Sequence, residues 1–254
     1  MKLKSILIPL LFMAGLQTVM AQKVVLHMAD NQKFEYSVSK LDSITFVDGA
    51  ADDSDVHEWV DLGLPSGTLW ATCNVGASKP EEYGDYFAWG ETQPKSDNIY
   101  SLSAYRYYDS VYKVYTKYCL QSDYGTIDNK SELEMSDDAA TVNWGSEWQM
   151  PSYGQCKELY NSSYTTITWT TMNGKYGMKI TSKSNGHSIF VPAAGYRGDT
   201  NLNNAGSSGY YWSRSLSTSY NYDAYSLYFS SRSIYTGNDL RYCGRSVRPV
   251  RVKK

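Results

Sequence analysis

Any chemistry open to this chain rests on four cysteines, three histidines and adjacent carboxylates such as Glu81–Glu82 and Asp137–Asp138. Cys73, Cys119, Cys156 and Cys243 lie far apart, and none forms the C-x-x-C spacing of a zinc or thiol-redox motif. Four cysteines permit three disulfide pairings, and their spacing chooses neither among these nor between them and buried thiols. His27, His57 and His187 are scattered, and no G-x-S-x-G, H-E-x-x-H or Walker pattern occurs. Glu81–Glu82 and Asp137–Asp138 are neighbours in sequence, which suits a loop or a helix start better than two acids facing each other across a sugar. The residues therefore point away from an enzyme, and they call for no cofactor and no metal.

Recognition chemistry is better supplied. From Gly206 to Arg251, tyrosines alternate with Ser, Asn and Gly. Tyr offers rigid amphipathic contact area, and Ser, Asn and Gly offer adaptable hydrogen bonding, the division of labour found in binding loops. The expected ligand-binding residues are Tyr210, Tyr211, Arg214, Tyr220, Tyr222, Tyr225, Arg232, Tyr235 and Tyr242. Sugars stack on aromatic faces and bond to Arg, Ser and Asn, and a protein would use the same residues as hot spots, so the expected partner is a glycan or a surface protein. A net charge of −2 provides no field for nucleic acid. Seven of the eight arginines nevertheless lie at or after Arg197. They make one end of the fold basic unless acidic partners neutralise them.

The elements that must position these residues are legible in outline. Met1–Ala21 has a short basic start, an apolar run and a small residue before Gln22, the pattern of a cleaved secretory signal. The run from Ile6 to Val19 is broken by Pro9, Gly15 and Gln17 and falls short of the roughly 20 residues a spanning helix needs. Export to the periplasm, the outer cell surface or the medium is expected, with no transmembrane segment and an oligomeric state left open. Residues 22–48 read as a small β-rich segment with strands at Lys23–Met28, Phe34–Tyr36 and Ile44–Phe46, and residues 49–56 as an acidic linker.

Residues 57–254 read as one large domain. Short β-like runs occupy Trp59–Leu62, Thr68–Thr72 and Tyr86–Trp89. A helix capped by Ser136 should run through Asn143, and a second should start at Ser152, which stands at capping-box spacing from Gln155. Strands at Ile167–Thr171, Gly177–Thr181 and Ser188–Val191 are separated by the turn pairs Asn173-Gly174 and Asn185-Gly186. Further strands are expected at Tyr210–Arg214, Tyr225–Phe229 and Val247–Val252. Strands, two helices, then many strands make the fold class α+β.

Specific strings carry a resemblance. Val60–Ala77 (VDLGLPSGTLWATCNVGA), Tyr83–Glu91 (YGDYFAWGE), Asn143–Pro151 (NWGSEWQMP), Phe190–Arg197 (FVPAAGYR) and Ser246–Val250 (SVRPV) together resemble the Fibrobacter succinogenes major paralogous domain, common in exported proteins of Bacteroidetes-like bacteria. The segment ending in Leu41–Phe46 (LDSITF) looks like a leader found before such domains. The resemblance implies a C-type-lectin-like fold of two short helices, twisted antiparallel sheets and long loops. It also implies that Trp70, Trp89, Trp144, Trp148 and Trp212 serve the core.

The resemblance implies no activity. The Glu-Pro-Asn, Gln-Pro-Asp and Trp-Asn-Asp strings of a calcium-dependent sugar site are missing, and Asp199, Asn201, Asn203 and Asn204 read as turn residues. Formylglycine-generating enzymes share the fold but use a cysteine pair, and here only Cys243 falls near the expected loop surface. Ser213–Val252 contains no Lys, Glu, Gln, Met or Trp, the five residues that adenine substitution in Asn codons cannot produce, so retroelement diversification of Ser217–Tyr225 is an alternative origin for the loop. The expectation is an exported, non-catalytic binding or adhesion protein. The alternatives are a structural envelope protein and a diversified display protein.

Overall fold

The computed structural model describes residues 23–27, 33–37 and 57–252. The chain divides into two compact units, residues 1–54 and 55–254. In the first, β1 (Lys23–His27) and β2 (Lys33–Ser37) form an antiparallel hairpin with Val25 opposite Glu35. The secretory signal, the strand expected at Ile44–Phe46 and the acidic linker lie outside the described residues.

The larger unit is mainly β-sheet with a few short helices. It opens with β3 (Trp59–Asp61) and β4 (Thr68–Ala71), followed by a long irregular stretch that holds the hairpin of β5 (Tyr108–Asp109) and β6 (Val114–Tyr115). Two helices follow, α1 (Ala139–Trp144) and α2 (Tyr153–Leu159). Then come β7 (Thr165–Met172), β8 (Lys175–Ser182) and β9 (Ser188–Pro192), which make one antiparallel sheet in that order. The hairpin β10 (Tyr196–Gly198) and β11 (Asn201–Asn203) leads into a second such sheet, β12 (Ser208–Leu216), β13 (Asp223–Ser230) and β14 (Ile234–Leu240). The last strand, β15 (Val250–Val252), returns to pair with β4, so that β4 lies between β15 and β3 with every residue buried.

Local signals explain most of these starts and stops. Asn173 and Gly174 both adopt positive φ (47° and 80°), the condition for a tight two-residue hairpin between β7 and β8. At α2 the capping box is complete: Ser152 Oγ accepts from the Gln155 amide and Gln155 Oε1 accepts from the Ser152 amide. The first helix departs from expectation. A 3-10 turn spans Met135–Asp137, and α1 is capped by Asp138 rather than Ser136, because the Asp138 carboxylate accepts from both the Ala140 and Thr141 amides. Tyr86–Trp89 is not a strand either. It is a buried crossing whose Phe87 and Trp89 amides bond to the Arg245 and Arg241 carbonyls, so its apolar run reflects burial without a continuous partner strand.

Tryptophan and tyrosine dominate the interior. Trp70, Trp89, Trp148 and Trp212 are buried, and Trp144 is half-buried, stacked on His57 at 3.6 Å. Rings of this kind bury roughly 150–250 Å² and, at about 25 cal/mol per Å², contribute several kcal/mol each. Two of the indole nitrogens are bonded to backbone, Trp89 Nε1 donating to Ser213 O and Trp212 Nε1 to Phe87 O, both at 2.8 Å. Cys156 and Leu159 of α2 pack with Leu227 and Phe229 of β13, covering one face of the β12–β13–β14 sheet. Gly209 is required there, since a Cβ at that position would stand 2.2 Å from the Phe229 ring.

The C-terminal arginines do not form a basic surface. Arg241, Arg245 and Arg248 are buried. Arg248 donates to the Ala71, Thr72 and Phe190 carbonyls and to Asn74 Oδ1, which ties three chain segments together. Arg214 pairs with Glu132 at 2.9 Å and Arg251 with Glu147 at 3.2 Å.

Candidate functional site

The pairing of β12, β13 and β14 places Tyr210 opposite Tyr228, and Tyr228 opposite Tyr235. Side chains alternate across a sheet, so all three rings stand on one face, away from α2. Tyr196 of β10 extends the row. Successive centroids are 4.9 Å (Tyr196–Tyr210), 5.0 Å (Tyr210–Tyr228) and 4.8 Å (Tyr228–Tyr235) apart, an unbroken line of four rings in edge and tilted contact. Tyr235 ends the line half in solvent, at 49% exposed, and the other three are partly buried.

Arg245 supports the row from beneath. Its guanidinium lies 4.9 Å from the Tyr210 centroid, 5.6 Å from Tyr196 and 4.8 Å from Trp212. Nη2 donates to Asp239 at 2.6 Å, while Nε and Nη1 are buried with no hydrogen-bond partner among the described residues. The aromatic faces therefore provide the compensation those two nitrogens would otherwise take from an acceptor. Asp239 also accepts from Ser226 Oγ. Beside it, Asp223 is raised to about 6 by burial first and by the Asp239 charge second, with Arg245 opposing. Asn204 Nδ2 donates to the Tyr210 hydroxyl at 3.1 Å at the other edge.

The nine residues expected to bind ligand are not one patch. Tyr210 and Tyr235 belong to the row. Tyr220 and Tyr222 form a separate cluster with Tyr124, at centroid separations of 5.5 and 5.7 Å, and Tyr220 is 48% exposed. Tyr211 is a correction: it is 2% exposed, stacked on Phe229 across the opposite face, with its hydroxyl donating to Pro192 O at 2.6 Å. Tyr225 also faces that way and rests on Tyr153 of α2 at 4.1 Å. Arg214 is engaged by Glu132 and by Gln149 Oε1. Arg232 is exposed in the β13–β14 turn, and Tyr242 is half-buried against the core.

Burial also restrains the loop expected to vary. Asn221 is buried, its Oδ1 accepting from the Leu120 amide and its Nδ2 donating to Tyr118 O. Ser217, Asp223 and Ala224 are buried as well. Only Thr218, Ser219 and Tyr220 of Ser217–Tyr225 are freely exposed.

Tyr196, Tyr228, Asn204, Asp239 and Arg245 escaped sequence reasoning. Tyr228 and Tyr235 are seven positions apart, and only the β13–β14 register makes them neighbours. Gly237, Asn238 and Asp239 hid β14, although the spacing of Tyr210, Tyr228 and Tyr235 around two turns held the signal.

All four thiols are unpaired. Cys243, expected near the surface, is buried together with Cys119 and Cys156 because the Arg241–Arg245 segment runs through the interior. Cys73 alone is half-exposed, and it lines a cleft of about 380 Å³ with His57, Glu58, Ser78 and Trp144. Among the described residues no three His, Cys, Asp or Glu side chains are grouped to hold a metal ion, and no helix is long and apolar enough to cross a membrane. Asp199 turns the β10–β11 hairpin with φ 49°. Comparison of the chain with protein-family models, curated proteins and solved structures returned no match.

Proposed function

We propose that this chain is an exported, non-catalytic binding protein with a C-type-lectin-like domain of the major paralogous kind, and that its tyrosine row holds a glycan. The single observation that carries the reading is the unbroken line from Tyr196 to Tyr235 on a sheet face that α2 leaves open. Ring faces accept the apolar face of a pyranose, while Asp239 and Asn204 at the margins supply hydroxyl partners. Two short helices, antiparallel sheets and the long segment between β4 and α1 support the fold assignment. The paired acids that catalysis would recruit are otherwise employed: Asp138 caps α1, Asp137 holds Lys117 and Tyr118, and Glu81 and Glu82 hold Asn173 and Ser78.

The burial of Tyr211 and Tyr225 favours a scaffold role for those two residues, so the binding role contracts to the row and the Tyr220 cluster. The chain from Gln22 onward, applied to a broad glycan array, should bind a defined sugar class. Tyr235→Ala and Tyr228→Ala should abolish that binding, and Tyr211→Phe should leave it intact. No binding by the folded wild type, or equal binding by the Tyr235→Ala and Tyr228→Ala variants, overturns the assignment.

A further inference from the structure

Among the described residues, other segments engage the outer edges of β9, β12 and β14. On β9 the outward carbonyls of Phe190 and Pro192 accept from Arg248 Nη2 and the Tyr211 hydroxyl. On β14 the Thr236 amide donates to the Tyr160 hydroxyl, and on β12 the Ser208 carbonyl and Trp212 amide are taken by Gly195 and Ser246. Nothing closes β7. Its pairing parity is fixed by two bonds, Lys183 N to Tyr164 O and Thr165 N to Asn161 O. The first makes Thr166, Thr168 and Thr170 the residues bonded to β8, and the second shows Thr165 turned the other way. The N–H and C=O groups of Ile167, Trp169 and Thr171 therefore point outward, along a strand with no charge, no Pro and no Gly. Edges of that kind are what proteins normally blunt.

The sequence of this edge is complementary to itself. Thr165–Thr171 reads Thr-Thr-Ile-Thr-Trp-Thr-Thr, a near-palindrome about Thr168. Laid antiparallel against a copy centred on Thr168, it sets Ile167 opposite the copy's Trp169, an aromatic and β-branched pair, and Thr166 opposite the copy's Thr170. The same register satisfies the backbone: Ile167 and Trp169 are both outward residues, so they meet as a hydrogen-bonded pair, while Thr168 meets its own copy at a non-bonded position. Moving the register by one residue sets outward groups against inward ones and destroys the match. We infer that β7 is the interface of a two-fold dimer in which the β7–β8–β9 sheets of two chains join into one continuous sheet. The occupant is a second copy of this chain, because the near-palindrome, the hydrogen-bond parity and the absence of charge all fit the strand to itself. Two-fold closure consumes both open edges, so assembly stops at two. A strand pair alone buries less than the roughly 1,200–2,000 Å² of a stable complex, so the dimer is weak and concentration-dependent.

Thr168 is exposed and meets its own copy on the axis, which gives a charge-swap test. Thr168→Lys and Thr168→Asp each place like charges face to face and should weaken dimerisation roughly tenfold or more, while an equimolar mixture of the two should recover it. The readout is sedimentation velocity over a concentration series on the chain from Gln22 onward, with circular dichroism confirming that each variant is folded. A wild type that stays monomeric throughout overturns the inference, as does a dimer indifferent to both substitutions or a folded mixture that fails to pair. Hydrogen exchange on the wild type needs no variant: the amides of Ile167, Trp169 and Thr171 should slow as concentration rises, while those of Thr166, Thr168 and Thr170 stay protected throughout. Exchange at Ile167, Trp169 and Thr171 that does not change with concentration also overturns it.

Discussion

Asp138 Oδ2 accepts the backbone N–H of Met150 at 2.8 Å, so the carboxylate that starts α1 also fixes the chain twelve residues further on. Its Oδ1 caps the Ala140 and Thr141 amides, and burial raises its pKa. Asp138→Ala should cost about 2–4 kcal/mol, combining a lost cap with a buried amide left unpaired. Asp138→Ser should recover only the cap, about 1 kcal/mol of that loss. Urea midpoints at a common m-value measure both, and full recovery of stability by Asp138→Ser would deny the Met150 bond any separate weight.

Arg241 should not tolerate lysine. Its guanidinium lies 4.6 Å from the Tyr115 centroid and 5.0 Å from Trp89, and it donates to the Lys117, Tyr118 and Asn221 carbonyls. An ammonium cannot fan donors across three acceptors while lying flat between rings. Arg241→Lys is expected to lose about 2–4 kcal/mol in denaturant melts, against less than about 0.5 kcal/mol for the exposed Arg232→Lys.

Asp223 predicts a pH dependence of definite sign. Its pKa rises from 3.8 to about 6 on folding, so between those values the native state binds more protons than the unfolded chain. Its contribution to stability is present below pH 4 and is lost as pH rises through 6. Asp223→Asn should remove that fall, and at pH 7 it should be more stable than wild type by on the order of 1–3 kcal/mol. Wild-type and variant melts compared from pH 4 to pH 8 isolate this group from Asp137 and Asp128, whose pKa values are lowered and whose contributions run the opposite way. A constant difference between the two proteins over that range would contradict the prediction.

Thiol reagents should distinguish the cysteines sharply. Cys73 is half-exposed in its cleft, whereas burial pushes Cys156 up to about 12 and raises Cys243. Native protein should label rapidly at Cys73 alone, and all four sites should label in denaturant, as peptide mass mapping would show. Fast native labelling of Cys243 would mean that the Arg241–Arg245 segment opens readily.

Local rules were enough for much of this chain. The Asn-Gly turn and the alternating residues on either side of it announce β7 and β8, and Ser152 with Gln155 announces α2, because each signal lies within a few residues of what it specifies. Long-range pairing was less legible. The tyrosines and serines of β12 look alike in sequence whether they face α2 or the open side, and a parity set by β13 separates Tyr210 from Tyr211. Arginine misled for a related reason: Arg241, Arg245 and Arg248 suggest a basic surface until rings and carbonyls from distant segments are seen to enclose them. The Ser136 cap failed because Met135–Asp137 closes as a 3-10 turn, and Asp138, two residues on, takes the Ala140 and Thr141 amides on one carboxylate oxygen while the other holds Met150.

The return of β15 to β4 has a mechanical meaning. β3 and β15 flank β4 and run parallel to each other, with Trp59 of β3 at the Ala71 end of β4 and Val252 of β15 at the Thr68 end. Tension applied between the two ends of this unit draws β3 and β15 in opposite directions along β4. The load falls on all the bonds of both ladders together, in shear, rather than on one pair at a time as in an opening zip. A protein that grips a ligand at one place and is held at another would resist being pulled apart through these three short strands.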